Sequence, residues 1–187
     1  MQIKSIAVIA AGPLGRDIAL LSARAGYPTI LEDVNAETIE RALAAIRAGE
    51  MSEHDRDAAM SRITTSRSIE DAMRAAELII DTSFDELETK LEVFTIFDKF
   101  ARPGAILASC TASLSVSEIA TITFRAERCV GMRFAGPASQ LKRVEIARSS
   151  QTAEEVVAEC AEAGRRMGLE VSISYEPAES KRELETR

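Results

Sequence analysis

The sequence is poor in the residues that most often betray a specific chemistry. It has one histidine, three cysteines, and 23 Lys and Arg against 30 Asp and Glu in 187 residues. Cys110, Cys129 and Cys160 follow no CxxC spacing and have no histidine cluster to join, which argues against both a disulfide framework and a zinc site. A formal net charge of -7 argues against nucleic acid and an anionic membrane surface, because phosphate binding rests on clustered Lys and Arg. No apolar run reaches the length of a membrane span, and the apolar start "SIAVIAAG" turns at a glycine as a first strand does. The expectation is a protein of the reducing cytoplasm with small-molecule or protein partners. His54, among the charges of "MSEHDRD", has no apolar wall to tune it and reads as a solvated helix residue rather than a base.

What is present is the material of one core. The chain is 46% apolar and too short for two comfortable domains. Short β-branched runs alternate with helical stretches: "SIAVIA", then Leu14–Ala25; "PTILED", then Ala36–Ala48; "LIID", then Glu86–Phe100; then "AILAS", "CVGMRF", "RVEIAR" and "EVSIS". That alternation predicts βαβ units and a parallel sheet. Gly26, Gly49 and Gly168 stand where left-handed C-caps are wanted, and "SIED", "SVSE" and "TAEE" read as capping boxes at Ser68, Ser115 and Thr152. Ser52 caps a short helical excursion before a strand near "RITTS". Leu87, Leu91, Phe94 and Phe97 form an apolar stripe at helical spacing, which predicts core packing. Residues 1–175 are expected to form the domain, and 176–187, too polar to bury a face, a C-terminal tail.

The first turn carries a ligand signal. Between the first strand and the first helix the chain reads Ala10-Ala11-Gly12-Pro13-Leu14-Gly15, where the dinucleotide fingerprint has G-x-G-x-x-G. Gly12 lets backbone approach a pyrophosphate, Gly15 lets helix close on strand, and Pro13 suits a first helical turn whose donors are spare. Leu14 completes the turn. Ala10 departs from the pattern: a left-handed backbone there would cost about 1–2 kcal/mol, roughly a 5- to 30-fold loss of affinity if expressed in binding. Asp33 ends the second strand about 20 residues on, where an acid accepts from an adenosine 2′-hydroxyl. With no arginine following to meet a 2′-phosphate, NAD is favoured over NADP. The expected architecture is a Rossmann-like, doubly wound α/β domain with a mostly parallel sheet and helices on both faces. The alternative is a doubly wound domain whose glycines serve packing alone.

Longer segments carry a family resemblance. From "SIAVIAAGPLG" through "LEDVNAETIERAL", "AAELIIDTSFDELETKLEVF", "PGAILASCTASLSVSEIA", "ERCVGMRF" and "PASQLKRVEIARSSQT", the sequence resembles the N-terminal domain of the L-3-hydroxyacyl-CoA dehydrogenases. The resemblance implies an NAD-binding fold and a link to fatty-acid metabolism. It puts the family's ribose acid on Asp33 and its cofactor-contacting acid and lysine on Asp85 and Lys90. The family's "SNTSSLS" segment falls on residues 109–115, so that its substrate-contacting serine is Ala112 here. Its "GMHFFNP" stretch puts the catalytic histidine on Arg133 and the asparagine on Gly136, while the glutamate that orients the histidine is retained as Glu145. The helical arm around Gly49 is shorter than the family's, and its helical C-terminal domain has no counterpart after "VSISYEPAES".

An arginine stays protonated and cannot take a hydroxyl proton, so the resemblance implies a cofactor domain whose dehydrogenase centre has been dismantled. Arg133 then has three readings: an ion pair with Glu145, a hold on a ligand carboxylate or phosphate, or plain exposure. Glu145 acting alone as a base for a smaller substrate remains open. Three functions follow. One is a non-catalytic NAD(H)-binding protein; another is a dehydrogenase subunit for acyl-CoA completed by a partner chain's helical domain. The third is an interaction domain that has lost its cofactor and forms a homodimer, or binds a partner, through the face that the C-terminal domain covers in the family.

Overall fold

A computed structural model of the chain describes residues 2–136 and 140–176. Among these described residues eight strands form one sheet: β1 (Ile6–Ile9), β2 (Thr29–Glu32), β3 (Ile63–Ser66), β4 (Leu78–Asp81), β5 (Ile106–Ser109), β6 (Cys129–Ala135), β7 (Arg143–Arg148) and β8 (Glu170–Tyr175). Their spatial order is β3-β2-β1-β4-β5-β6-β7-β8. Every neighbouring pair is parallel except β6 with β7. That exception has a local cause, because residues 136–142 are too few for a crossover helix and allow only a return beside the previous strand. The order reverses at β1, whose neighbours are β2 and β4, and this opens the crevice where doubly wound sheets take ligands.

Seven helices are assigned among the described residues: α1 (Pro13–Arg24), α2 (Ala36–Ala48), α3 (Glu53–Met60), α4 (Ile69–Ala75), α5 (Leu87–Phe100), α6 (Val116–Ala120) and α7 (Glu154–Arg166). Strand side chains alternate between two faces, so the short apolar runs build two cores. Ile6, Val8, Leu78, Ile80 and Ile106 pack with Ile18 of α1, Ile39 of α2 and Val156 of α7. Ala7, Ile9, Ile79 and Leu107 pack on the opposite face with Met73 of α4, Phe94 and Phe97 of α5, and Ile119 of α6. The expected two-faced α/β sheet is what the chain forms.

Two helix boundaries differ from expectation. Gly26 and Gly168 take positive φ after their helices, at 92° and 79°, but Gly49 is extended at φ -66° and ψ 154°. The chain leaves α2 there toward the Ser52 cap of α3 and needs no left-handed turn. Thr152 does not cap α7, whose N-cap is Ala153. Its buried hydroxyl donates to Cys129 O at 2.8 Å and accepts from Ser149 N at 3.0 Å, so a tertiary partner has outbid the helix end. Ser52, Ser68 and Ser115 cap as expected. His54 is exposed, and the three cysteines are free and buried. Burial pushes the Cys129 thiol up to about 11 and Cys160 up to about 12, so both behave as inert core groups. No helix among the described residues is long and apolar enough to cross a membrane. The polar stretch expected as a tail lies, from residue 177 onward, outside the described residues.

Candidate functional site

Two clusters stand at the carboxyl ends of the strands. The first lies where β1 and β4 part. Gly12 is the extended N-cap of α1 (φ -64°, ψ -178°) and Pro13 occupies the first turn. The first helical bond of α1 runs from Arg16 N to Gly12 O at 2.9 Å, which leaves the Leu14 and Gly15 amides at the open end of the helix, where the dipole favours an anion. A Cβ on Gly15 would stand 2.0 Å from Ala10 O, so only glycine fits that position. Ala10 does adopt the left-handed region, at φ 75°.

The acids of β2 brace this loop. Asp33 accepts from Ala11 N and from Asn35 N, both at 2.9 Å, which aims its carboxylate at the rim. Glu32 is 3% exposed, and its Oε1 has no hydrogen-bond partner. Burial raises its carboxyl to about 7, Asp33 beside it pushes the same way, and the Ala10 amide opposes them.

On the other side of the crevice lies a buried ion pair. Lys90 Nζ donates to Asp81 Oδ2 at 2.8 Å and to Ser83 O at 3.0 Å, and both charged side chains are fully buried. The Lys90 ammonium thus fixes the loop after β4 from within the protein. That loop carries Asp85, which accepts from Ala112 N at 3.0 Å and so ties the β4 turn to the turn after β5. Ala112 itself is exposed.

The second cluster is built on the antiparallel pair β6–β7, whose register sets Arg133 opposite Glu145. Arg133 donates from Nη1 to Glu145 Oε1 at 3.2 Å, from Nε to Thr111 O at 3.0 Å and from Nη2 to Glu176 Oε1 at 3.4 Å. The expected ion pair is therefore present, with a second carboxylate added. Glu145 also accepts from the Ser174 hydroxyl. Glu176 accepts from Val116 N at 2.8 Å, Ser117 N at 3.1 Å and Ser115 Oγ at 3.1 Å, which joins the end of β8 to the start of α6. Gly136 admits no side chain as the loop stands, since a Cβ would meet Gln140 O at 2.2 Å.

Gly12, Pro13, Leu14, Gly15 and Asp33 thus gather at one end; Asp85 and Ala112 meet between; Arg133 and Glu145 pair at the other. Sequence reasoning missed Glu32, Thr82 and Glu176. For Glu32 a signal existed: strand alternation sends Glu32 and Asp33 to opposite faces, so one of two adjacent acids had to point toward the core. For Thr82 and Glu176 there was none, because their partners lie 43 to 73 residues away.

The family model describing the NAD-binding domain of 3-hydroxyacyl-CoA dehydrogenase matches residues 5–174. The chain is 34% identical over 176 residues to a probable 3-hydroxybutyryl-CoA dehydrogenase of Bacillus subtilis, covering 90% of this chain and 61% of that protein. It is 30% identical over 180 residues to the 3-hydroxybutyryl-CoA dehydrogenase of Bradyrhizobium diazoefficiens, covering 92% and 61%. The crystal structure of 3-hydroxybutyryl-CoA dehydrogenase from Escherichia coli K12 superposes with a TM-score of 0.88 at 28% identity, over 94% of this chain and 39% of that one. The chain spans about three fifths of the length of the two curated relatives.

Proposed function

The chain belongs to the 3-hydroxyacyl-CoA dehydrogenase family through its NAD-binding domain, and from that premise we propose that it binds NAD(H) where β1 and β4 part but does not transfer hydride by itself. Its setting is the acyl-CoA chemistry of fatty-acid metabolism, in a reducing cytoplasm that suits three free, buried thiols.

The residues at the switch point fit a dinucleotide. The Leu14 and Gly15 amides at the start of α1 receive the pyrophosphate, Gly12 leaves open space for its approach, and Asp33 accepts from the adenosine ribose. Pro13 supplies no N–H, so this loop offers one donor fewer than its length allows. Asp85 would contact the cofactor from the loop after β4, and Lys90 would act from behind by holding that loop. NAD, when bound, supplies the acceptor for a hydride from the carbon that bears a substrate hydroxyl.

The observation that carries the other half of the reading is Arg133, clamped by Glu145, Glu176 and the Thr111 carbonyl. Oxidising a secondary alcohol needs a group that accepts the hydroxyl proton. A guanidinium stays protonated, and the Glu145 carboxylate is already engaged by Arg133 and Ser174. Three of the guanidinium's donors are spent inside the protein, which disfavours a ligand carboxylate at this point.

A second reading rests on the edge of the sheet. β8 ends the strand order, with Ile173 and Tyr175 on it 49% and 71% exposed. A second copy, or a partner chain carrying the remaining part of the relatives, would cover that edge and enclose an acyl-CoA or smaller carboxylate ligand.

The test is a fluorescence titration with NADH, clean in a chain without tryptophan, followed by NAD with 3-hydroxybutyryl-CoA. Saturable NADH binding without turnover is expected; no saturation up to millimolar cofactor sinks the binding half. Arg133→His with Ala112→Ser is expected to stay inactive alone and to turn over only with the remaining part of an active relative supplied, because enclosure and orientation are worth about 7–11 kcal/mol against 10²–10⁴-fold for a base. Turnover by the unassisted double variant would reverse that ranking.

A further inference from the structure

Among the described residues, Ala10 is the one non-glycine residue with positive φ. A Cβ in the left-handed region crowds the following carbonyl, so something must hold Ala10 there. β1 and β4 are parallel neighbours with Ile9 beside Asp81, so Ala10 and Thr82 leave the sheet side by side. Thr82 N donates to Ile9 O at 3.0 Å and extends the ladder by one rung. The Thr82 hydroxyl lies 2.8 Å from Ile9 O and 2.9 Å from Ala10 O. A hydroxyl has one proton to give, and Ile9 O already receives the Thr82 amide, so the proton is needed at Ala10 O.

The position of that oxygen explains why it needs a donor. The left-handed turn swings the Ala10 carbonyl inward against the first turn of α1, close enough that a Cβ on Gly15 would stand 2.0 Å from its oxygen and 2.7 Å from Thr82 Oγ1. Ala10, Gly15 and Thr82 thus form one contact across the point where the strand order reverses. On the other side the Ala11 amide is held by Asp33. A loop clamped from both strands keeps its shape without the glycine that would adopt it freely.

We propose that Thr82 is a positioning residue that locks Ala10 in the left-handed conformation and so preserves the loop geometry that a dinucleotide pyrophosphate requires. The functional half of this inference rests on the NAD(H) reading above; the conformational half does not.

A double-mutant cycle separates the two. Thr82→Val removes the hydroxyl at nearly constant volume, Thr82→Ser keeps it, and Ala10→Gly removes the need for it. Thr82→Val is expected to weaken NADH binding about five- to tenfold, the scale of one hydrogen bond, and to lower Tm by about 2–4 °C. Thr82→Ser should stay near the parent in both, and in the Ala10→Gly background the Thr82→Val penalty should fall by half or more. If Thr82→Val fails to fold, Thr82→Ala carries the same cycle. Equal penalties with Ala10 and with Gly at that position, or no penalty in either, overturn the clamp. Coupling in Tm with no NADH binding by any of the proteins would retain the clamp and remove the NAD(H) reading.

Discussion

The two ends of the crevice share one sheet and answer differently to substitution. At the β1–β4 end, Ala10 stands where the dinucleotide pattern has glycine, and the backbone still makes the left-handed turn. At the β6–β7 end, Arg133 stands where the family resemblance puts a histidine, and its side chain is one member of an internal salt-bridge network. The difference lies in what each site is made of. Cofactor binding is built from amides, a helix end and one carboxylate, so a methyl group in the wrong place costs about 1–2 kcal/mol and leaves the geometry standing. Proton transfer is built from the titration of one side chain. Replacing that side chain by a group that stays protonated forfeits the about 10²–10⁴-fold that a positioned base contributes.

The comparison can be broken most forcefully at Lys90. Lys90→Met leaves the Asp81 carboxylate fully buried without its cation; a loss of about 3–5 kcal/mol in stability is expected, and a Tm lower by on the order of 10 °C in thermal unfolding. A variant with unchanged Tm but weaker NADH binding would show that Lys90 serves the ligand directly. Asp33→Ala comes next. It should weaken NADH binding by about 1.5–3 kcal/mol, roughly 10- to 150-fold by calorimetric or fluorescence titration, and unchanged affinity would move the ribose site elsewhere.

The smallest effect concerns Glu32 and acts on stability. Its carboxyl is raised from 4.5 to about 7 in the fold, mainly by burial. Between those values the folded protein holds a proton that the unfolded chain has released. This contribution therefore declines as pH rises from about 4.5 to 7, and levels off above that window. Glu32→Gln should flatten that part of the Tm profile, whereas an unchanged slope would place the titrating group elsewhere.

These differences also mark what the chain reveals before it folds. β-branched runs such as "SIAVIA" and "LIID" declare strands because each must fill a core on both faces, and Gly12, Gly15 and Asp33 are legible because their roles depend on local turn geometry and spacing. Lys90 was half legible: it sits between Leu87 and Phe94 on the buried stripe of α5, but its partner Asp81 belongs to another element. Thr152 misled because a hydroxyl that could cap a helix found the Cys129 carbonyl 23 residues away. Glu176 was unreadable, since a carboxylate beside a polar stretch looks solvated until β8 carries it to α6 and Arg133.

The central claim is that the cofactor end works and the proton-transfer end does not. It is tested most directly by following NADH fluorescence of the 187-residue protein in one series, first on adding NADH, then on mixing NAD with 3-hydroxybutyryl-CoA. Saturable enhancement in the first step and no NADH formed in the second is the predicted result. Failure to saturate, or NADH accumulating in proportion to protein, would contradict it.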